Sequence, residues 1–309
     1  MPSITPVTMT RAGSFALPAA LHLKNVVQTV ASSTVQPDAF DEQGNWYRLL
    51  QIGTSIITLK AAPTGTLVWT SSEPVHPVDI QHQVEHIFSL IPLPQHALEH
   101  LPERLAKQFA DLAPLVHIAS PTLGEALIKG IIRQVISASQ AKKVLHQFVT
   151  RLGSCYDYAN LTYYNFPTLE QITQLPLEEL SDCGLGFKAK VIKHVAQRLL
   201  EENFEQQVLQ SSSPDAVLLL QKLKGIGDWT AHVAICDFLH DWSQYPFGDL
   251  AVRKWAKLLW KEGDWPVNED EFEHAWRNVN GEHAGLITIY LFTSGKKVAM
   301  LSIKQERLL

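Results

Sequence analysis

Two short segments hold the residues best suited to chemistry. The first runs from Ser213 to Ala231 and includes Lys222, Lys224, Gly225, Ile226, Gly227, Trp229 and Thr230. Ser213 and Pro214 suit the start of a helix, Gly225 and Gly227 break it, and a second helix resumes with Trp229, Val233 and Cys236 on one face. Two glycines around one apolar residue let the backbone turn sharply, so that main-chain N–H groups at the start of the second helix point outward as an anion-binding nest. A phosphate held around Lys224, Gly225, Ile226, Gly227 and Thr230 is positioned without any sequence being read. An ordinary helix-helix turn, with Gly225 as C-cap and Ile226 plugging the core, accounts for the same residues.

The second segment, Tyr245-Pro-Phe-Gly-Asp249, leads into a helix expected over Leu250–Trp260, with Val252, Trp255 and Leu259 inward. Asp249 falls at that helix's N-terminus, where a carboxylate serves as an N-cap and is equally placed to act on a bound molecule. Arg253, Lys254 and Lys257 follow it and, with Lys222 and Lys224, form a local source of positive field.

An N-terminal antiparallel sheet is expected from Phe15–Leu23, Trp46–Leu50, Ser55–Lys60 and Thr66–Thr70. From Pro77 the apolar period changes to that of helices, with Ile80, Val84, Ile87 and Phe88 on one face, and the remainder reads as all-helical. Ser120-Pro121 marks a helix start, after which Leu127, Ile131 and Val135 recur at four-residue spacing; another helix covers Ala141–Leu152 with Val144 and Phe148 inward. Thr168 and Ser181 mark further starts, Gly184-Leu-Gly186 turns into a basic helix near Lys188, and a final apolar helix spans Leu286–Val298, offering Tyr290 or Phe292 to a pocket. The fold class is therefore mainly α with an N-terminal antiparallel β unit, divided as 1–76 and 77–309, the latter into lobes 121–240 and 77–120 plus 241–309.

Composition narrows the classes. The net charge of −5 weighs against a phosphate-rich partner, so any such partner depends on local charge, with the acidic stretch Asn268–Glu273 facing solvent elsewhere. Cys155, Cys183 and Cys236 lie far apart and read as small buried residues; iron–sulfur spacing is absent, and the 13 histidines form no zinc pattern. No run approaches the roughly 18 apolar residues of a membrane helix, and Met1–Arg11 lacks a secretory profile, so an intracellular, cytoplasmic location is expected.

Leu223-Lys-Gly-Ile-Gly-Asp-Trp-Thr-Ala231 followed by Pro246-Phe-Gly-Asp249 resembles the hairpin, Gly/Pro-rich loop and aspartate of the helix-hairpin-helix DNA glycosylases, and Glu125–Ser137 resembles the first helix of their DNA-binding lobe. The branch it is most similar to is 3-methyladenine DNA glycosylase II, which also carries an N-terminal antiparallel sheet. The resemblance implies a partner, double-stranded DNA holding a damaged base that is flipped into a pocket, and a monomeric enzyme with Asp249 as catalytic carboxylate. Trp229 stands where bifunctional relatives carry a lysine, which implies a monofunctional enzyme, and its indole suits stacking on alkylated purines. Val233 stands where the branch often has a tyrosine. Gln134 and Val135 match the position of a side chain inserted into the duplex, although Val135 also continues a core face. No cofactor or metal is implied, apart from a monovalent cation allowed at hairpin carbonyls near Gly225. An oxidised-base glycosylase/lyase and a non-catalytic helix-hairpin-helix DNA-binding protein are the alternatives.

Overall fold

The computed structural model describes residues 4–6, 9–17, 37–41, 43–158 and 161–306. Short β1 (Ile4–Pro6) stands apart from a five-stranded antiparallel sheet made of β2 (Arg11–Ala16), β3 (Ala39–Phe40), β4 (Trp46–Ile52), β5 (Ser55–Ala61) and β6 (Thr66–Ser71), in the order β2-β6-β5-β4-β3. The first expected strand stops at Ala16, and its continuation to Leu23 lies outside the described residues. Alternate side chains of this sheet enter two cores. Trp46, Leu50, Ile57, Leu59 and Leu67 face one side, where helix α1 (Pro77–Ile87) covers them with Ile80, Val84 and Ile87. Tyr47, Leu49 and Ile56 face the other. A sheet face of this size needs a cover to leave water, so its core extends past the expected boundary at residue 76 into α1.

Beyond Pro77 the chain is not purely helical. Strand β7 (Phe88–Ile91) pairs antiparallel with β8 (Leu115–Ile118), with α2 (Glu103–Ala110) between them. Helices α3 (Leu123–Arg133) and α4 (Ala138–Leu152) follow, then the pair β9 (Cys155–Tyr158) and β10 (Leu161–Tyr164), with β1 parallel to β9. Apolar runs of four residues do not separate strand from helix by period alone, which is why the all-helical expectation fails here.

Then come α5 (Leu169–Gln174), α6 (Leu177–Leu180), α7 (Lys188–Glu201), α8 (Phe204–Gln210), α9 (Ser213–Leu220), α10 (Asp228–Leu239), α11 (Leu250–Leu259), α12 (Glu269–Asn280) and α13 (Ala284–Glu306). Two helix starts shift, while α9 begins at Ser213 as expected, with Ser212 as its cap. Thr122, not Ser120, caps α3, because the Ser120 hydroxyl is committed to Asp237; and Ser181 closes α6 rather than opening a helix, the chain running on through a wide turn to Leu185. Thr168 does cap α5, in a reciprocal capping box with Gln171.

Two further cores flank α10. Ala231, Ala234, Ile235 and Phe238 join one with α3, α4 and α7, while Val233 and Cys236 join another with α2, α11, α12 and α13. All three cysteines are buried and free. A charged chain ties the sheet to α3: buried Arg48 on β4 bonds Asp38 at 2.9 Å and Glu125 at 2.5 Å, and Glu125 also pairs with Lys129 at 2.6 Å. Among the described residues no helix is long and apolar enough to cross a membrane.

Candidate active site

The hairpin between α9 and α10 forms as its glycines require. Gly225 has φ +94°, and a Cβ there would lie 2.5 Å from Val191 Cγ1, so no other residue fits without rearrangement. Gly227 caps α10 with no side-chain hydrogen bond, and a Cβ built on it meets nothing within 4 Å. No side chain caps the first turn of α10, and Lys222 and Lys224 just before it are exposed. Two of the expected hairpin contacts are not of that kind. Ile226 is buried in the core of α3 and α7, with its N–H spent on the Leu223 carbonyl. Thr230 is 2% exposed, and its hydroxyl accepts from Gln134 Nε2 at 2.8 Å.

Gln134 also donates to the Gly225 carbonyl at 3.2 Å, so it braces the hairpin against the end of α3. This leaves Val135 as the free member of the pair. It does not continue the Leu127 and Ile131 face: α3 ends at Arg133, Val135 takes φ +55°, and its side chain is 94% exposed. A β-branched residue in the left-handed region is strained, and no packing compensates it here.

Asp249 caps α11, accepting from Ala251 N at 2.6 Å on Oδ1. Its Oδ2 accepts from the Trp229 indole Nε1 at 2.5 Å, so two donors on different elements fix the carboxylate plane. The loop before it is anchored by fully buried Phe247, with the Arg277 guanidinium 4.4 Å from its ring, and by Gly248, whose N–H donates to Glu273. Gly248 also sits so close to α12 that a Cβ would lie 2.6 Å from Glu269 Cγ. Arg253, expected beside the carboxylate, is instead drawn to α12: it donates to the Val267 carbonyl and lies 3.7 Å from Glu269. Part of the acidic stretch thus holds the site loop rather than simply facing water.

Trp229 and Asp249 line a cavity of about 480 Å³ between the two helical cores, together with Val233, Tyr245, Lys254, Trp255 and Phe292. This volume suits one nucleobase with its sugar. Phe292 reaches it, but Tyr290 does not: its hydroxyl donates to the Ile91 carbonyl and accepts from Leu115 N, and burial pushes its pKa up to about 12 against the effect of the Leu115 bond. Lys254 carries its ammonium 5.1 Å from the Trp255 ring centroid, and Lys257 is exposed. Arg133, His117 and Asp237 also line the cavity and were not legible as site residues. The one signal for Asp237 was its place eight residues after Trp229, on the same face of α10. A monovalent cation near Gly225 would have to compete with the Gln134 amide for that carbonyl.

The profile of the HhH-GPD superfamily of base excision DNA repair proteins matches residues 128–280. A DNA-3-methyladenine glycosylase of Bacillus subtilis (strain 168) is 27% identical over 179 residues, covering 57% of this chain and 58% of that protein. The chain thus spans under two thirds of that relative's length. DNA-3-methyladenine glycosylase 1 of Schizosaccharomyces pombe (strain 972 / ATCC 24843) is 23% identical over 189 residues, covering 59% of this chain and 78% of that protein. In fold, the 3-methyladenine DNA glycosylase of Archaeoglobus fulgidus superposes with TM-score 0.73 at 23% identity, covering 91% of this chain and 97% of that one. MBOgg1 in complex with a low-affinity DNA ligand gives 0.70 at 17% identity, covering 95% and 99%. By its profile match, and by a hairpin, loop and aspartate arranged around one cavity, the chain belongs to the HhH-GPD superfamily of base excision DNA repair proteins.

Proposed function

We propose that this chain is a monomeric, monofunctional DNA glycosylase that flips an alkylated purine of the 3-methyladenine or 7-methylguanine type into the cavity and hydrolyses its glycosidic bond. The observation that carries the reading is the Trp229–Asp249 pair: a carboxylate locked by two donors, beside an aromatic face, in the wall of a base-sized cavity. A base inside the stack is out of reach, so its nucleotide must turn out first, at a cost of a few kcal/mol that is smaller for damaged pairs. The open N-terminus of α10 and Lys224 hold a backbone phosphate, and Val135 enters the gap left by the base. As the base leaves, positive charge develops on the deoxyribose, and Asp249 stabilises it or takes the proton of the attacking water.

Electron-poor alkylated rings stack favourably on the Trp229 indole, and the 3-methyladenine glycosylases among the relatives support that substrate class. With tryptophan rather than lysine at position 229, no Schiff base forms there and the product is an intact abasic site. Hydrolysis of this kind asks for no cofactor. The lobes that close on the cavity are 121–240 and 77–120 with 241–309, the sheet standing behind them.

The test is release of free base from methylated duplex DNA by the wild type and by Asp249→Asn, at matched circular dichroism. Release of 3-methyladenine or 7-methylguanine by the wild type alone is expected, with no borohydride-trapped adduct. If neither protein releases base, the reading gives way to that of a DNA-holding protein.

A further inference from the structure

The cavity has a second polar end that bond cleavage does not use. Trp229, Val233 and Asp237 follow at four-residue intervals on α10 and all line the cavity. At about 1.5 Å rise per residue, Asp237 lies about 12 Å along the helix from Trp229. Its Oδ2 accepts from Ser120 Oγ at 2.6 Å, and that hydroxyl receives Lys129 Nζ at 3.0 Å. Its Oδ1 lies 3.9 Å from His117 Nε2.

The histidine's proton can be placed from its neighbours. His240 Nε2 lies 2.7 Å from the His86 carbonyl and must donate to it; His240 Nδ1 therefore accepts, and His117 Nδ1, 2.7 Å away, donates. His117 Nε2 is left as a buried lone pair without a hydrogen-bond partner among the described residues. Burial, reinforced by His240, pushes this imidazole down to about 3, so the ring is neutral. Burial opposes ionisation of Asp237, but the Lys129 and Arg133 cations, with the Ser120 hydrogen bond, outweigh it and hold the carboxyl below its ordinary value. A charged acceptor and a neutral acceptor thus stand side by side in the cavity wall, an arrangement that favours a ligand bringing N–H groups.

We infer that Asp237, held by Ser120 and backed by His117, selects the base: it accepts from the exocyclic amine of adenine-type alkylated purines and disfavours their 6-oxo counterparts. The inference rests on the glycosylase reading above. An amine has one proton for each acceptor, whereas a 6-oxo group sets its lone pairs against a carboxylate. Arg133, also in the cavity wall, offers donors, so a 6-oxo base is discriminated against rather than excluded.

The experiment uses one methylated duplex that carries both 3-methyladenine and 3-methylguanine, which share the alkylated atom and differ at the 6-position, guanine adding an N1 proton and a 2-amino group. The ratio of their release rates in a single reaction is independent of the fraction of folded protein. The wild type is expected to favour 3-methyladenine, and Asp237→Asn, which exchanges an acceptor for a donor, to lower the ratio by about 10- to 100-fold, the loss of one hydrogen bond to a charged acceptor. A wild type that favours 3-methylguanine, or a ratio unmoved by the substitution, overturns the inference while leaving the glycosylase reading intact. Release of neither base by the wild type overturns both. Should Asp237→Asn fail to fold, inhibition of the wild type by free adenine against free hypoxanthine decides: stronger inhibition by adenine supports the role, and equal or weaker inhibition refutes it.

Discussion

Replacing Val135 by glycine should move stability and activity in opposite directions. Val135 sits at φ +55° with its side chain 94% exposed, so truncation removes no packing. The left-handed region costs a side-chain-bearing residue about 1–2 kcal/mol, and glycine returns about 0.5–1 kcal/mol of that as extra freedom in the unfolded chain. The net gain is about 0.5–1 kcal/mol, which for a chain of this size raises Tm by about 1–4 °C. Inside a duplex the same side chain would be buried, worth about 1.5–3 kcal/mol, so its loss slows base release by about 10- to 150-fold. Calorimetry and single-turnover release on one preparation read both effects. A lower Tm would refute the strain argument, and unchanged release would refute the wedge. Val135→Asn, which tolerates this backbone region, should share the higher Tm and the slow release.

Four further outcomes follow from the geometry. Gly225→Ala should lose about 2 kcal/mol or more of stability in urea unfolding, because its Cβ meets Val191, whereas Gly227→Ala should fold within about 0.5 kcal/mol of the wild type yet bind duplex DNA more weakly; equal effects would deny the nest. Trp229→Phe keeps an aromatic face but removes the donor to Asp249, and should lower kcat about tenfold with little change in KM; a change confined to KM would reduce Trp229 to a stacking surface. Arg48→Leu leaves Asp38 and Glu125 buried without their shared cation and should cost about 3–5 kcal/mol by denaturant unfolding, with a loss under about 1 kcal/mol counting against the network. His86, His117 and His240 all titrate below the ordinary histidine value in the folded protein, so the unfolded chain takes up their protons first. Stability is then full above about pH 6.5 and falls on acidification toward the His117 value near 3, by up to about 1.4 kcal/mol per pH unit for each histidine; thermal melts of His117→Gln should show a shallower slope.

The parts of the site legible in the sequence are those made by local rules. A Gly-x-Gly break, an Asp before an amphipathic helix and a capping threonine all act within a few residues, and Gly225, Asp249 and Thr168 do what their types dictate. What escaped depends on residues distant in the chain. Arg253 has the spacing to serve Asp249 but finds the Val267 carbonyl and Glu269 instead, and Thr230 looks like a hairpin donor until Gln134 takes its hydroxyl. Val135 fits the apolar period of α3, yet the helix stops two residues earlier, with Gln134 bound to the hairpin. Periodicity cannot see a helix end that is set by a tertiary hydrogen bond.

Helix α10 shows why such a site resists reading by amphipathicity. Apolar residues surround it almost evenly, because Ala231, Ala234, Ile235 and Phe238 pack into one core and Val233 and Cys236 into another. An all-round apolar helix reads as featureless, yet only a helix walled in on both sides can present a narrow polar line to an enclosed space. Trp229 at its first turn meets Asp249 from α11, and Asp237 at its last turns meets Ser120 and His117 from the segment leading into α3. The glycine turn sets where this helix begins, and hence the depth of both polar groups. One added residue in the turn would advance Trp229 and Asp237 together by about 100° around the axis and 1.5 Å along it, removing both from the cavity wall. On the proposed reading, phosphate holding, carboxylate positioning and base selection are therefore coupled through the register of a single helix rather than distributed over independent loops.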